Sequence, residues 1–444
     1  MVKLKRLKIE KYRNVKPGTE LHFRDSLNVL LGRNGTGKTT LLNLIVQLLS
    51  WDFSALLGEP FALEYDILTD EAHLRVSLRN ESRTKPERVV LDAEEGEQGV
   101  STASLMQASA RYQSSGEIVV TRAEAGEKYR LIISGSRLTL ELGDEARPSW
   151  GMDYEAPILG QTSMGDLLVV LSDLEETEGL GVPDLHSLSS ALASSVAGFL
   201  RNLKRFDESL GFLDLITRPS STFAATKIQG SYRINSRDGA PRILRSHLIG
   251  RLQSDPDADE VRIQSSDEGA WFLSRVVELL EFKHAHLGLQ RLAMRTQPRL
   301  RIDFGNMRFD FTRRDGEVFN HTLLSYGQKR LVAFYYYLAC NSTCVVADEL
   351  VNGMHHGWIG PCLEDIGERQ AFLTSQNPLL LDYLYFESAE EVRSSFVLCR
   401  MESHENREQM VWENMALDEA EAFFSAYQVA IHHVGELLRL RGLW

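Results

Sequence analysis

Ser26-Leu27-Asn28-Val29-Leu30-Leu31-Gly32-Arg33-Asn34-Gly35-Thr36-Gly37-Lys38-Thr39-Thr40, running on into Leu41 to Leu49, decides the fold. Leu27 to Leu31 is a short apolar run of buried-strand type, and Leu41 to Leu49 has helical length and composition. Between them, Gly32-x-x-x-x-Gly37-Lys38-Thr39 is the phosphate-binding P-loop pattern in its strand–loop–helix setting. Glycines let backbone N–H groups converge on phosphate oxygens, and the helix N-terminus adds the positive end of its dipole. Lys38 is expected to reach the β- and γ-phosphates, and the Thr39 hydroxyl to ligate Mg²⁺. Arg33, Asn34, Gly35, Thr36 and Thr40 complete the loop. A nucleotide site in an α/β fold is the expectation.

Some three hundred residues on, Thr343-Cys344-Val345-Val346-Ala347-Asp348-Glu349 reads as a buried strand ending in two carboxylates. Asp348 suits a Mg²⁺ site, and Glu349 suits the polarisation of an attacking water. An apolar run before Asp-Glu is weak alone, but Leu324-Ser325-Tyr326-Gly327-Gln328 stands just upstream, followed by the helical stretch Leu331 to Cys340. P-loop, Leu-Ser-x-Gly-Gln, then Asp-Glu about twenty residues later resembles an ATP-binding-cassette ATPase. Val351-Asn352-Gly353-Met354-His355 is similar to that family's D-loop region, and Phe372 to Asp382 to its switch strand and loop.

The resemblance narrows to the RecF, SMC and OLD-type ATPases through Leu7-Lys8-Ile9-Glu10-Lys11-Tyr12-Arg13-Asn14-Val15 and the second strand leading into the P-loop. The tail from Phe423 is also similar to bacterial AAA-type members of this group, many of which belong to anti-phage defence systems. The resemblance implies ATP and Mg²⁺ as cofactors, with Thr39 and Asp348 at the metal and Lys38, Glu349 and Gln376 as catalytic groups. It implies that Arg13 and Gly32 to Thr40 bind the nucleotide. Ser325, Gly327 and Gln328 would then face the γ-phosphate bound by a second copy, in a homodimer or larger homo-oligomer. Gln376 stands where the family usually has His, which implies slow, switch-like turnover because glutamine has no cationic form. Gln161 is a candidate for the Q-loop glutamine.

The chain has 444 residues, 43% of them hydrophobic and 25% charged, a composition that excludes a disordered or Pro/Gly-biased chain. Its net charge of -13 argues against indiscriminate nucleic-acid binding. Lys3, Lys5, Arg6, Lys8, Lys11, Arg13 and Lys16 cluster against the single acid Glu10, as expected for the solvated face of an edge strand or a DNA-lining groove. No apolar run reaches the roughly 18 residues of a membrane span, and the N-terminus lacks a secretory signal. Four cysteines in so long a chain make no disulfide framework, so a cytoplasmic setting is expected.

The expected organisation has an N-terminal ATPase lobe over 1–150, with an antiparallel β-subdomain built from alternating stretches between Phe61 and Leu142. A compact helical insertion follows over 151–300, with helices at Leu185–Asp207, Leu244–Leu252 and Glu268–Ala293. A C-terminal ATPase lobe covers 301–400 and a strand/helix tail 401–444. Asp92 to Gly99 reads as an exposed loop. In the tail, Asp418-x-x-Glu421 resembles a capping box, with Phe424, Tyr427, Ile431, Val434 and Leu438 on one face and Gly442 at the stop. His355-His356 and His432-His433 lack the spacing of a metal site.

The function expected is an ATPase switch that dimerises on ATP and controls a separate effector, a nuclease or toxin, in anti-phage defence. The alternatives are a DNA repair or recombination ATPase acting directly on DNA, and a scaffold that binds ATP without hydrolysing it. A fused nuclease is disfavoured because no Asp-x-Asp follows Asp382.

Overall fold

The lysine-rich opening folds as a strand because its apolar residues point one way. In the computed structural model, β1 (Val2–Tyr12; strands are numbered along the chain) buries Val2, Leu4, Leu7, Ile9 and Tyr12, with two register irregularities against its neighbour β4 (Phe61–Thr69). The structure describes residues 2–70, 72–82, 111–122, 128–142, 150–153, 203–207, 210–219, 222–228, 230–236, 239–297, 299–375, 378–404, 407–429 and 434–440. The expected loop at Asp92–Gly99 and the glutamine Gln161 lie outside these residues. The chain divides into two compact units, one of Met1–Leu203, Glu368–Thr374 and Leu384–Trp444, the other of Lys204–Gly367 and Ser375–Tyr383.

In the first unit, an antiparallel sheet runs β2 (Thr19–His22), β1, β4 (Phe61–Thr69), β5 (Ala72–Ser82), β6 (Tyr112–Arg122), β7 (Lys128–Ser134), β8 (Arg137–Leu142) and β9 (Trp150–Asp153). The alternation between Phe61 and Leu142 therefore does form the expected strands. β1, however, is not an edge: it pairs with β2 on one side and β4 on the other. Its cations are largely engaged. Lys3 donates to the carbonyls of Asp25 and Glu368, Lys5 pairs with Asp25, Arg6 with Glu20 and Glu64, and Lys8 with Glu10.

The P-loop strand β3 (Leu27–Leu31) lies between β17 (Gln370–Thr374) and β18 (Phe396–His404), parallel to both, and β19 (Arg407–Asn414) runs antiparallel to β18. Parallel neighbours on two sides explain a strand that is apolar throughout and does not alternate. The helix Lys38–Ser50 follows, burying Leu41, Leu42, Leu44, Ile45, Leu48 and Leu49. In the tail, the helix Leu417–Gln428 has Ala416 as its N-cap, without a side-chain cap. Asp418 sits inside its first turn, favourable to the dipole but not a capping box. Ala420 and Phe423 are the buried pair, and a separate helix, Val434–Leu440, carries Val434 and Leu438. Phe424 and Tyr427 lie on the first of these helices, while Ile431, with the rest of 430–433, and Gly442 lie outside the described residues.

The second unit holds an antiparallel sheet in the order β11 (Ser231–Ser236), β10 (Phe223–Ile228), β14 (Arg301–Thr312), β13 (His284–Arg295), β12 (Glu260–Gln264), with β15 (Val318–Asn320) on β14. The insertion expected to be helical is thus mixed in its described part. Leu244–Leu252 does lie in a helix, Arg242–Ser254. Glu268–Ala293 is helical only at Trp271–Leu279, then turns through Glu281 in the left-handed region (φ 55) and becomes β13. The alternation of buried Ala285, Leu287 and Leu289 has the two-residue period of a strand. Most of Leu185–Asp207 lies outside the described residues, and Leu203–Asp207 is not helical, with an isolated bridge at Phe206. The core forms where the helix Tyr326–Cys340 lays Phe334, Tyr335, Tyr336 and Tyr337, all fully buried, among Phe206, Phe212, Phe272 and Phe309.

Candidate functional site

The P-loop is built within the first unit, from contacts inside the loop and from β19. The Lys38 ammonium folds onto the carbonyls of Gly32 (2.8 Å) and Arg33 (3.2 Å) and is 7% exposed. The Thr36 hydroxyl donates to the Arg33 carbonyl at 2.8 Å, and the Trp412 indole on β19 donates to the Thr36 carbonyl at 3.1 Å. Gly37, the helix N-cap, has φ 86, and a Cβ there would lie 2.3 Å from the Met410 sulfur. Only glycine fits both the left-handed backbone and that approach. A buried lysine, the Thr39 hydroxyl and a helix N-terminus on a glycine loop form the donor set that phosphate oxygens and a hard cation require, so these residues fit a Mg²⁺-nucleotide. Burial on the adjoining β18 pushes the Cys399 thiol up to about 12, with the Lys38 charge pulling the other way, so the thiol stays neutral.

Arg13 belongs to the first unit. It sits in a left-handed turn (φ 48), pairs with Glu59 at 3.0–3.2 Å and lies over the Tyr12 ring. The Glu59 hydrogen bond raises its already high pKa.

The carboxylates belong to the second unit. β16 (Cys344–Ala347) is buried throughout and delivers Asp348 and Glu349 at its end, both largely buried. Glu349 takes a left-handed conformation, φ 52, which costs a residue with a Cβ about 1–3 kcal/mol and persists only where surroundings impose it. Arg330 imposes it. Its fully buried guanidinium donates to the carbonyls of Glu349 (3.0 Å), Leu350 (2.9 Å) and Asp207 (2.6 Å), and stacks on Phe206. The segment Leu203–Asp207 lies along β16 as an added parallel bridge. Phe206 N–H donates to the Val346 carbonyl, and Asp348 N–H to the Phe206 carbonyl.

Ser325 and Gln328 form a capping box at the start of the helix Tyr326–Cys340. The Gln328 N–H donates to the Ser325 hydroxyl, and the Ser325 N–H donates to the Gln328 side-chain carbonyl. A Cβ on Gly327 would stand 2.6 Å from the Gly353 carbonyl, so the loop Val351–His355 packs directly on the first turn. His355 caps the next helix, its Nδ1 accepting from the Gly357 N–H, which gives the first histidine pair a structural role. Among the described residues there is no group of three His, Cys, Asp or Glu side chains able to hold a metal. Gln376 lies outside the described residues. Sequence reasoning missed Arg330, the Arg205–Asp207 strip and Trp412. Only Arg330 had a local signal, as an arginine on the apolar face of an otherwise buried helix.

Residues 6–142 match the AAA_23 family model, described as an AAA domain. That match spans the glycine loop and agrees with the P-loop ATPase read from the motifs there. Comparison with curated proteins finds no match. Among solved structures, the SMC head domain from Thermotoga maritima is 12% identical, covering 93% of this chain and 99% of its own, with a TM-score of 0.34. An SMC head bound to the C-terminal winged-helix domain of ScpA gives 10%, 93% and 98% with a TM-score of 0.39. An SMC head with an extended coiled coil, bound to the C-terminal domain of ScpA derived from Pyrococcus furiosus, gives 9%, 96% and 100% with 0.35. No helix among the described residues is long and apolar enough to cross a membrane.

Proposed function

We propose that this chain is an ATP-binding switch that hydrolyses its nucleotide slowly and closes as a homodimer on ATP. The buried Lys38 folded into a glycine loop at a helix N-terminus carries the reading. Lys38 and the loop N–H groups hold the β- and γ-phosphates, Thr39 and Asp348 hold Mg²⁺, and Glu349 orients the attacking water. Bound Mg²⁺ supplies charge neutralisation between phosphates. Ser325, Gly327 and Gln328, presented at a capped helix start, serve the γ-phosphate of the second copy, and Gln376 replaces a cationic switch residue. The output is a separate effector, a nuclease or toxin, held in anti-phage defence within the cytoplasm. Engagement of Lys3, Lys5, Arg6 and Lys8 in local pairs favours a protein partner over a DNA-lining groove on β1.

The test is hydrolysis alongside binding of a fluorescent ATP analogue. Lys38→Ala should lose both. Glu349→Gln should bind while turning over at least about a hundredfold more slowly, and should accumulate as an ATP-dependent dimer that Ser325→Arg prevents. Wild-type turnover by Glu349→Gln would remove Glu349 from the role given it here.

A further inference from the structure

Asp348 has a rival for its carboxylate. Arg205, in the strip Leu203–Asp207, hydrogen-bonds Asp348 Oδ2 through Nη1, while its Nη2 stands 3.7 Å from the Asp207 carboxylate. The Asp348 side chain is 10% exposed and Asp207 36%, so one guanidinium bridges an inner and an outer acid. The strip's backbone is pinned at three points. The Tyr337 hydroxyl donates to the Lys204 carbonyl, Phe206 bridges β16, and Arg330 holds the Asp207 carbonyl. From a backbone held on both sides, the Arg205 guanidinium lies within reach of both carboxylates.

We propose that Arg205 is a latch on the metal-binding carboxylate: it neutralises Asp348 until Mg²⁺ arrives, then passes to Asp207. The inference rests on the reading of Asp348 as the carboxylate of the Mg²⁺ site. Two cations cannot share a largely buried carboxylate without strong repulsion, because little solvent screens them. Arginine keeps its charge at any working pH, so the latch opens by displacement and not by loss of a proton. Asp207 makes displacement feasible, since Arg205 leaves one anion for another without entering solvent unpaired. Arg205 is thus a positioning residue that sets how much Mg²⁺ the site needs.

The experiment uses the full chain and a non-hydrolysable fluorescent ATP analogue, reading by anisotropy the Mg²⁺ concentration that half-maximally tightens nucleotide binding. Arg205→Gln should lower that concentration by about tenfold, equal to about 1.4 kcal/mol. Arg205→Lys, which keeps the cation, should stay near wild type, and Asp207→Asn should raise the concentration. Asp348→Asn should make binding indifferent to Mg²⁺. If Asp348→Asn loses the Mg²⁺ response while Arg205→Gln leaves the midpoint unchanged or raises it, the latch is overturned and the metal site stands. If Asp348→Asn responds like wild type, the metal assignment itself fails. Should Arg205→Gln not fold, an Asp207→Asn midpoint equal to wild type overturns the latch on its own.

Discussion

The P-loop and the Asp348–Glu349 turn are built by different means. The P-loop takes most of its hydrogen bonds from neighbours in sequence, Lys38 to Gly32 and Arg33 and Thr36 to Arg33, with Trp412 and Met410 bracing it from β19. The carboxylate turn takes its shape from afar, through Arg330 nineteen residues upstream and a strip over a hundred residues away. A phosphate cradle needs N–H groups converging on a small anion, which glycines and a helix start supply locally. Holding a strained glutamate and a buried aspartate requires hydrogen-bond donors that only tertiary packing can bring.

The comparison is most open to breaking at Arg330. Arg330→Met leaves three buried carbonyls without that donor and should cost about 3–5 kcal/mol, read as a lower urea midpoint. Hydrolysis should fall with it, while nucleotide binding at the P-loop persists in the folded fraction. Equal loss of binding and hydrolysis would show that the two regions are not built independently. Next in size, Gly37→Ala strains a left-handed position and drives a Cβ into Met410, costing about 1–2 kcal/mol and most nucleotide affinity. Adding Met410→Ala should recover part of the stability and little of the affinity, because backbone strain remains. Full recovery of both would mean that the clash, not the left-handed backbone, dominates. The smallest effect belongs to the signature. Ser325→Ala should cost about 1 kcal/mol through the lost cap, and a double-mutant cycle with Gln328→Ala should show coupling, since each side chain answers the other's backbone.

Much of this was legible beforehand where physics is local. The strand–loop–helix of Leu27 to Ser50, the meander from Phe61 to Leu142 and the buried strand before Asp348 follow from periodicity and glycine placement. β13 went unread because an apolar helix runs into it with only Leu280 to Lys283 between them. The tail was mis-capped because Asp418 lies two residues beyond the true N-cap, where an acid still favours the helix dipole. β1 looked like an exposed edge because its lysines and arginines are countered by Asp25, Glu20 and Glu64, acids brought up by other parts of the fold.

By itself the sequence determined that this chain builds a glycine phosphate cradle at a helix start, because the left-handed backbone and close approach needed there admit few residues other than glycine. Tertiary structure alone decided how Asp348 and Glu349 are held. Arg330, Phe206 and Arg205 reach them through packing over long sequence separations, and neither charge nor spacing along the chain records which buried arginine will meet which carbonyl or carboxylate.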